Sequence, residues 1–313
     1  MLRISPLLCF CLFIVLVSKL SAQEIEIFKV SDFDLRGNVK TCLVITDYGK
    51  EEYHFDQQGR LTKSVTIFSD SDYETTHYKY KNGLISERRI ENYLNDTFDS
   101  ATSLANFYTL DTVPERMVTE KIISYEKELL EQNRYYYDDS DRIIRMVRVG
   151  TDGTDEITFE YEDTEEGELM TQKLNGIIAK TVETTYGKID RDSLRQRTLE
   201  TKNYLNGELT TRNRKVIGPQ EKLLFICSSI YDSSTEKWIS QEEINYEYTE
   251  EGVLSKSKEK NRGLLSTKEY IYQFDGSEAK NWVKEIITPN NTYKTRRITY
   301  YKKEEPQIAV EKE

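Results

Sequence analysis

The sequence is poor in the residues that carry chemistry at neutral pH. Histidine occurs only twice, at His54 and His77. Zinc sites usually take three or four protein ligands, so a histidine metal centre cannot organise this chain. Each histidine lies beside the aromatics of a strand. They would approach one another, as a weak metal site, only if their strands paired; a structural or surface role is expected for both. No Gly-x-Ser-x-Gly elbow, phosphate loop or dinucleotide glycine fingerprint is present. Five prolines, and no proline- or serine-rich linker, argue for one continuous body rather than separate domains.

Cysteine is also scarce. Cys9 and Cys11 lie inside an apolar run, which leaves Cys42 and Cys227 in the body of the chain. One disulfide is possible in an oxidising compartment, but two buried free thiols are the stronger expectation, since free cysteine is often buried. Long apolar runs are absent except at Leu7–Val17, "LLCFCLFIVLV". With Arg3 before it and Ser21-Ala22 after it, that run describes a cleavable export signal cut after Ala22. It ends too early, at Ser18 and Lys19, for a span needing about 20 apolar residues. Pro6-Leu7-Leu8 ahead of Cys9 does not fit a lipid-attachment site.

Removing residues 1–22 takes the 44 basic residues to 42 against 55 acidic ones, a net charge of −13. Such a field repels nucleic acid and anionic lipid. Hydrophobic residues make up 37% of the chain and charged ones 32%, so the core must be thin. Tyrosine partly compensates: 22 of them cover apolar area while keeping a polar tip.

What the chain does have is repetition. Tyr53-His54-Phe55-Asp56 precedes "QQGRL", Tyr78-Lys79-Tyr80 precedes "KNGLI", and Tyr135-Tyr136-Tyr137-Asp138 precedes "DSDRII". Phe159-Glu160-Tyr161 leads to "EDTEEGEL" and Tyr246-Glu247-Tyr248 to "TEEGVL". Each unit sets two aromatics at i and i+2, which share one face of a strand. A polar turn then reverses the chain, with Gly59, Gly83, Gly167 or Gly252 supplying positive φ, and Leu61, Ile143, Leu169 or Leu254 restarts it. In the third unit Asp141 stands where glycine is expected, a left-handed position that Asp tolerates better than most. Asn82-Gly83, Asn175-Gly176 and Asn206-Gly207 are strong hairpin signals, and Tyr125 to Leu129 reads as a hairpin turn without glycine. Residues 97–108 and 187–200 interrupt the pattern and read as a loop or short helix.

These units resemble YD repeats, the hairpin repeats of the rearrangement-hotspot (Rhs) family. "YHFDQQGRL" (53–61) matches nearly throughout, "YYYDDSDRI" (135–143) lacks the glycine, and "YEYTEEGVL" (246–254) lacks the aspartate. Residues 231–256 and 272–286 are similar to short secreted Bacteroidetes proteins that pair a Trp-bearing strand with such a unit. The resemblance implies an all-β antiparallel meander of hairpin repeats, one long curved open sheet or half-barrel. It implies no toxin, since only "EEPQIAVEKE" follows Lys303.

The expected organisation is therefore a signal peptide at 1–22, a repeat domain at 23–303 and a disordered tail at 304–313. Tyr53, Phe55, Tyr78, Tyr80, Tyr135, Tyr137, Phe159, Tyr161, Tyr246 and Tyr248 are expected to stabilise the sheet through cross-strand pairs, with Asp56 and Asp138 opening turns. Tyr136, Trp238 and Trp282 are the candidates for surface contact. Acid pairs such as Glu165-Glu166, Glu242-Glu243 and Glu250-Glu251 would hydrolyse glycosides only if two faced each other at about 5–10 Å; most lie in turns, where solvated charge is the ordinary explanation. The expected function is an exported, non-enzymatic binding scaffold, periplasmic or extracellular, without cofactor or metal. Its partner would be a protein or glycan, with neither nucleic acid nor membrane insertion. An accessory or immunity-type partner of a secreted toxin, and a glycan-acting enzyme, are the rivals.

Overall fold

Period-two alternation runs through nearly the whole chain, and it lays down twenty strands. The structure, a computed structural model, describes residues 27–187 and 196–302. The expected signal peptide, its expected cut site and the expected tail all lie outside the described residues. The first ten strands are β1 (Val39–Thr46), β2 (Gly49–Phe55), β3 (Leu61–Ile67), β4 (Tyr73–Lys81), β5 (Leu84–Leu94), β6 (Thr97–Asp111), β7 (Met117–Ser124), β8 (Leu129–Tyr137), β9 (Ile143–Gly150) and β10 (Gly153–Thr164). The remainder are β11 (Gly167–Leu174), β12 (Ile177–Tyr186), β13 (Arg197–Leu205), β14 (Glu208–Ile217), β15 (Leu223–Asp232), β16 (Lys237–Tyr248), β17 (Leu254–Asn261), β18 (Leu264–Phe274), β19 (Trp282–Thr288) and β20 (Thr292–Tyr300).

Every strand pairs antiparallel with the next, and β20 pairs back onto β1, with Cys42 opposite Ile298 and Val44 opposite Arg296. The sheet is thus a closed barrel, not the open sheet or half-barrel that the repeats implied. An open meander leaves two edges of unpaired N–H and C=O groups. Here "KTCLVIT" and "RRITYY", rich in β-branched residues, satisfy each other, and Thr41 Oγ1 meets Thr299 Oγ1 at 2.6 Å. Sequence periodicity specifies hairpins but not how many are needed to come full circle.

Residues 97–108 are strand rather than loop or helix. β6 is fifteen residues long, and its apparent break is a bulge. Asp99 folds it, accepting from the Ala101 amide at 3.1 Å and Thr102 Oγ1 at 2.7 Å, while Ser103 Oγ takes the Asn92 amide at 3.0 Å. Of the other interruption, Arg197 onward belongs to β13, and residues 188–195 lie outside the described part.

The repeat now has a physical content. Asp56 Oδ1 accepts the Gln58 and Arg60 amides, each at 2.9 Å, and Oδ2 takes Arg60 Nε at 2.8 Å. Asp138 does the same with Ser140, Arg142 and Arg142 Nε, all at 2.9 Å. Gly59 turns at φ 76, and Asp141 fills the same left-handed position at φ 63. The second aromatic then locks the neighbouring strand. Tyr80 OH donates to the Leu61 carbonyl at 2.6 Å, Tyr161 OH to Ile143 at 3.0 Å and Tyr248 OH to Leu223 at 2.8 Å. Arg60, Arg142 and Lys222 lie over those three rings at 4.5, 4.5 and 5.4 Å. Gly167 departs from this scheme. It opens β11, and a Cβ there would run into the Thr184 carbonyl, so close strand approach selects glycine rather than positive φ. In the same unit Met170, not Leu169, sits opposite Tyr161, and Leu169 faces outward.

Barrels of 16–18 strands already leave an aqueous channel, so twenty cannot be filled by side chains. Buried apolar residues accordingly gather in two clusters among the described residues. The larger is a plug. Residues 28–36, with a short 3-10 helix at Val30–Phe33, enter one end of the barrel. Phe33 packs at 4.4 Å from Tyr53 and 5.4 Å from Phe55, and Phe28 at 6.2 Å from Tyr78. Asn281 clamps the segment, taking the Arg36 amide and donating to its carbonyl, both at 2.8 Å.

Candidate functional site

Alternation assigns each side chain to the interior or the outer wall. In all five units the two aromatics share one face, and that face is the inner one. The outward positions mix apolar and charged side chains, with ion pairs between strands: Lys79–Glu87 at 2.8 Å, Lys173–Glu160 at 2.6 Å, Lys256–Glu269 at 3.0 Å and Lys258–Glu247 at 2.6 Å. A membrane-spanning barrel carries an outward apolar band, and Lys or Arg at mid-bilayer costs about 2–4 kcal/mol each. Lys79, Lys173, Lys256 and Lys258 all stand on this wall. Among the described residues no helix is long and apolar enough to cross a membrane.

The remaining expectations sort by face. His54 and His77 both point outward, but β3 separates them, with Lys63 paired to each. They therefore do not meet; His54 lies 2.7 Å from Glu52 and His77 3.9 Å from Glu91. Cys42 is buried, Cys227 half-buried, and both are free. Burial pushes the Cys42 thiol up to about 11, against a smaller opposing pull from Arg296. Glu242 and Glu243 face opposite sides of the wall, so they cannot act as a pair. Tyr136 is outward and lies under Arg145 at 4.0 Å. Trp238 is also outward, covered by Arg212 at 4.9 Å and Tyr231 at 5.0 Å. Trp282 is not a surface contact. It is 7% exposed, donates Nε1 to Asp34 Oδ2 at 2.8 Å and carries Arg296 at 3.4 Å over its ring, so it is the anchor of the plug.

The interior wall of β4–β9 holds a recess of about 430 Å³. Its centre is Glu120 on β7, 8% exposed. Oε1 accepts from Asn106 Nδ2 at 2.7 Å and Tyr108 OH at 2.8 Å, both on β6. Oε2 accepts from Asn133 Nδ2 at 3.1 Å and Tyr135 OH at 2.9 Å, both on β8. Burial works to raise this carboxyl, but the four hydrogen bonds outweigh it and hold Glu120 below its ordinary pKa. Burial, then the charge of Glu120, pushes the Tyr108 and Tyr135 hydroxyls up. A carboxylate with both oxygens saturated and its ionised form favoured is a poor proton donor. It is a structural hub.

Around the hub lie Arg88, Glu131, Arg148 and Tyr78. Arg148 pairs with Asp155, and Glu131 takes a second bond from Asn133 Nδ2 at 2.8 Å. Three buried polar atoms in this wall have no partner among the described residues: Arg88 Nε, Asn106 Oδ1 and Asn133 Oδ1. No group of three or more metal-binding side chains forms among the described residues.

Of the recess residues only Tyr78 and Tyr135 were singled out from the sequence, as repeat aromatics; Glu120, Asn106, Tyr108 and Asn133 were not, though a signal existed. Asn106-Phe107-Tyr108 and Asn133-Arg134-Tyr135 are the same Asn-x-Tyr pair, one on each side of the strand carrying Glu120. Only strand pairing shows that both pairs converge on one carboxylate.

No protein-family model matches the chain, and no curated protein does. Solved structures that overlap with it include two described as porin-like proteins. The one from Bacteroides uniformis is 10% identical, covering 83% of this chain and 98% of its own, with a TM-score of 0.33. The one from Bacteroides vulgatus is 8% identical, covering 84% and 98%, with a TM-score of 0.27. Similarity this low carries no argument about function.

Proposed function

We propose that the chain is an exported, non-enzymatic barrel scaffold whose interior recess binds a polar, hydroxyl-rich ligand, a short glycan. Export rests on the N-terminal apolar run, and the YD-like character on the shared Asp turn and tyrosine lock. The observation that carries the ligand class is the unpartnered set in the recess wall. Asn106 Oδ1 and Asn133 Oδ1 need donors, and Arg88 Nε needs an acceptor. A hydroxyl group does both, and the tyrosine rings around it supply apolar faces. A recess of this size falls in the range of small-molecule sites, roughly 300–1,000 Å³. The saturation of Glu120 speaks against a hydrolase built on Glu120 and Glu131.

The test is calorimetric titration of the purified protein with neutral oligosaccharides of malto-, xylo- and chito-type. Saturable binding to one type, lost in Arg88→Ala and Tyr108→Ala, is expected. Absence of heat across all three, or hydrolysis that disappears in Glu131→Gln, overturns the reading.

A further inference from the structure

Ion pairs bridge strands on much of the outer wall, and apolar residues stand exposed at several hairpin tips, Tyr48, Leu205 and Leu264 among them. One sector joins such tips to a continuous row of rings. Four rings run side by side across β4 to the β7–β8 turn. Tyr73 stacks on Tyr93 at 4.5 Å, Tyr93 meets Phe98 at 5.6 Å, and Phe98 meets Tyr125 at 4.5 Å. They face outward, where no second layer covers them. Three hairpin tips border them, and large apolar residues stand exposed there: Phe68 at 63%, Leu94 at 53% and Tyr125 at 53%. Cross-strand packing explains why rings pair; it does not explain apolar tips left open to water beside them.

The patch is held in shape. The Asn95 amide donates to Asp72 Oδ1, and the Asp96 amide to the Ser71 carbonyl, each at 2.8 Å. Two neighbouring tips are thus tied together, so little ordering is needed on contact, which favours binding. An aromatic centre with a polar rim is the anatomy of a protein interface. The charge of this rim is one-sided. Asp70, Asp96, Glu126 and Glu128 are exposed at the tips, and Lys127 is the sole basic residue among them.

We infer that this aromatic, acid-rimmed sector is a docking surface for a partner protein that presents lysine or arginine around an aliphatic centre. The acids match such a partner electrostatically, and the ring faces attract its cations. The same wall shows the contact in miniature, with Arg145 over Tyr136 at 4.0 Å. An anionic lipid surface would be repelled by the rim, and a second copy would bring acids against acids.

The probe is a fluorescently labelled amphipathic helical peptide of lysine and leucine, with its glutamate–leucine counterpart as control, followed by anisotropy on the whole protein. The lysine peptide is expected to bind saturably and weaken steeply with salt, and the glutamate peptide not to bind. Hydrogen exchange should slow at residues 93–98 and 119–129. Phe68→Ser, at an exposed tip beside the rings, should fold normally and lose about tenfold in affinity, the loss of one contact residue; Tyr125→Ser, at the most exposed of the four rings, serves as a second variant. Wild-type affinity in both variants would reduce the attraction to net charge and overturn the inference. So would protection elsewhere on the barrel, stronger binding to phosphatidylcholine vesicles than to the peptide, or self-association of the protein alone in sedimentation.

Discussion

Replacing Glu120 with alanine strands the donors that converge on it. Asn106 and Tyr135 are 1% and 6% exposed and lose their only carboxylate partner. Asn133 keeps its bond to Glu131, and half-exposed Tyr108 can turn to water. Two stranded donors at roughly 1–3 kcal/mol each, offset in part by no longer burying a charge, give a loss of about 2–4 kcal/mol. Glu120→Gln keeps the shape but turns an amide NH₂ toward two donors, so about 1–3 kcal/mol is expected. Urea unfolding followed by intrinsic fluorescence reads both. The pH dependence follows from the lowered pKa. Above its ordinary value of 4.5 the carboxylate's contribution is fully present. It is lost as pH falls through the lower folded value, because the unfolded chain then binds the proton more readily. The wild type should therefore lose more stability below pH 4.5 than Glu120→Gln does. A change under about 0.5 kcal/mol in both variants, the range of an ordinary surface substitution, would refute the hub.

Trp282→Phe removes the indole donor to Asp34 and should cost about 1–2 kcal/mol; limited proteolysis should then cut faster within residues 27–37, and an unchanged rate would deny that Trp282 anchors the plug. Gly59→Ala forces a side chain into φ 76 and should destabilise by about 1–2 kcal/mol, measured by the same urea titration. Intact mass should be unchanged by reduction, and a thiol reagent should modify Cys227 in the folded protein but Cys42 only after unfolding. If the lysines and their ion pairs keep the outer wall in water, the purified barrel should add no conductance to a planar bilayer; insertion would overturn the expectation of no membrane insertion.

Much of this fold was legible locally. Two aromatics at i and i+2, a polar turn and a restarting aliphatic fixed strand, face and reversal, and even the left-handed place of Asp141 could be read. These are short-range consequences of pleat geometry and of which residues tolerate positive φ. The bulge at Asp99 was not, because its polar run looks like a loop until Asn92 on the preceding strand supplies a partner. Nor was the role of Gly167, which depends on a carbonyl seventeen residues away.

Closure, the plug and the recess were decided only in three dimensions. Whether β20 meets β1 depends on strand number and accumulated twist, which no single unit records. Trp282 looks like a surface residue in its own strand and becomes an anchor because residues 28–36 return inside the barrel. Glu120 is one acid among 55 acidic residues until β6 and β8 bring four donors to it. The sequence by itself determined an antiparallel meander of hairpins with paired aromatics on one face of each strand. The tertiary structure decided which face became an interior and which buried groups were left without partners, because both depend on contacts between segments far apart in the chain.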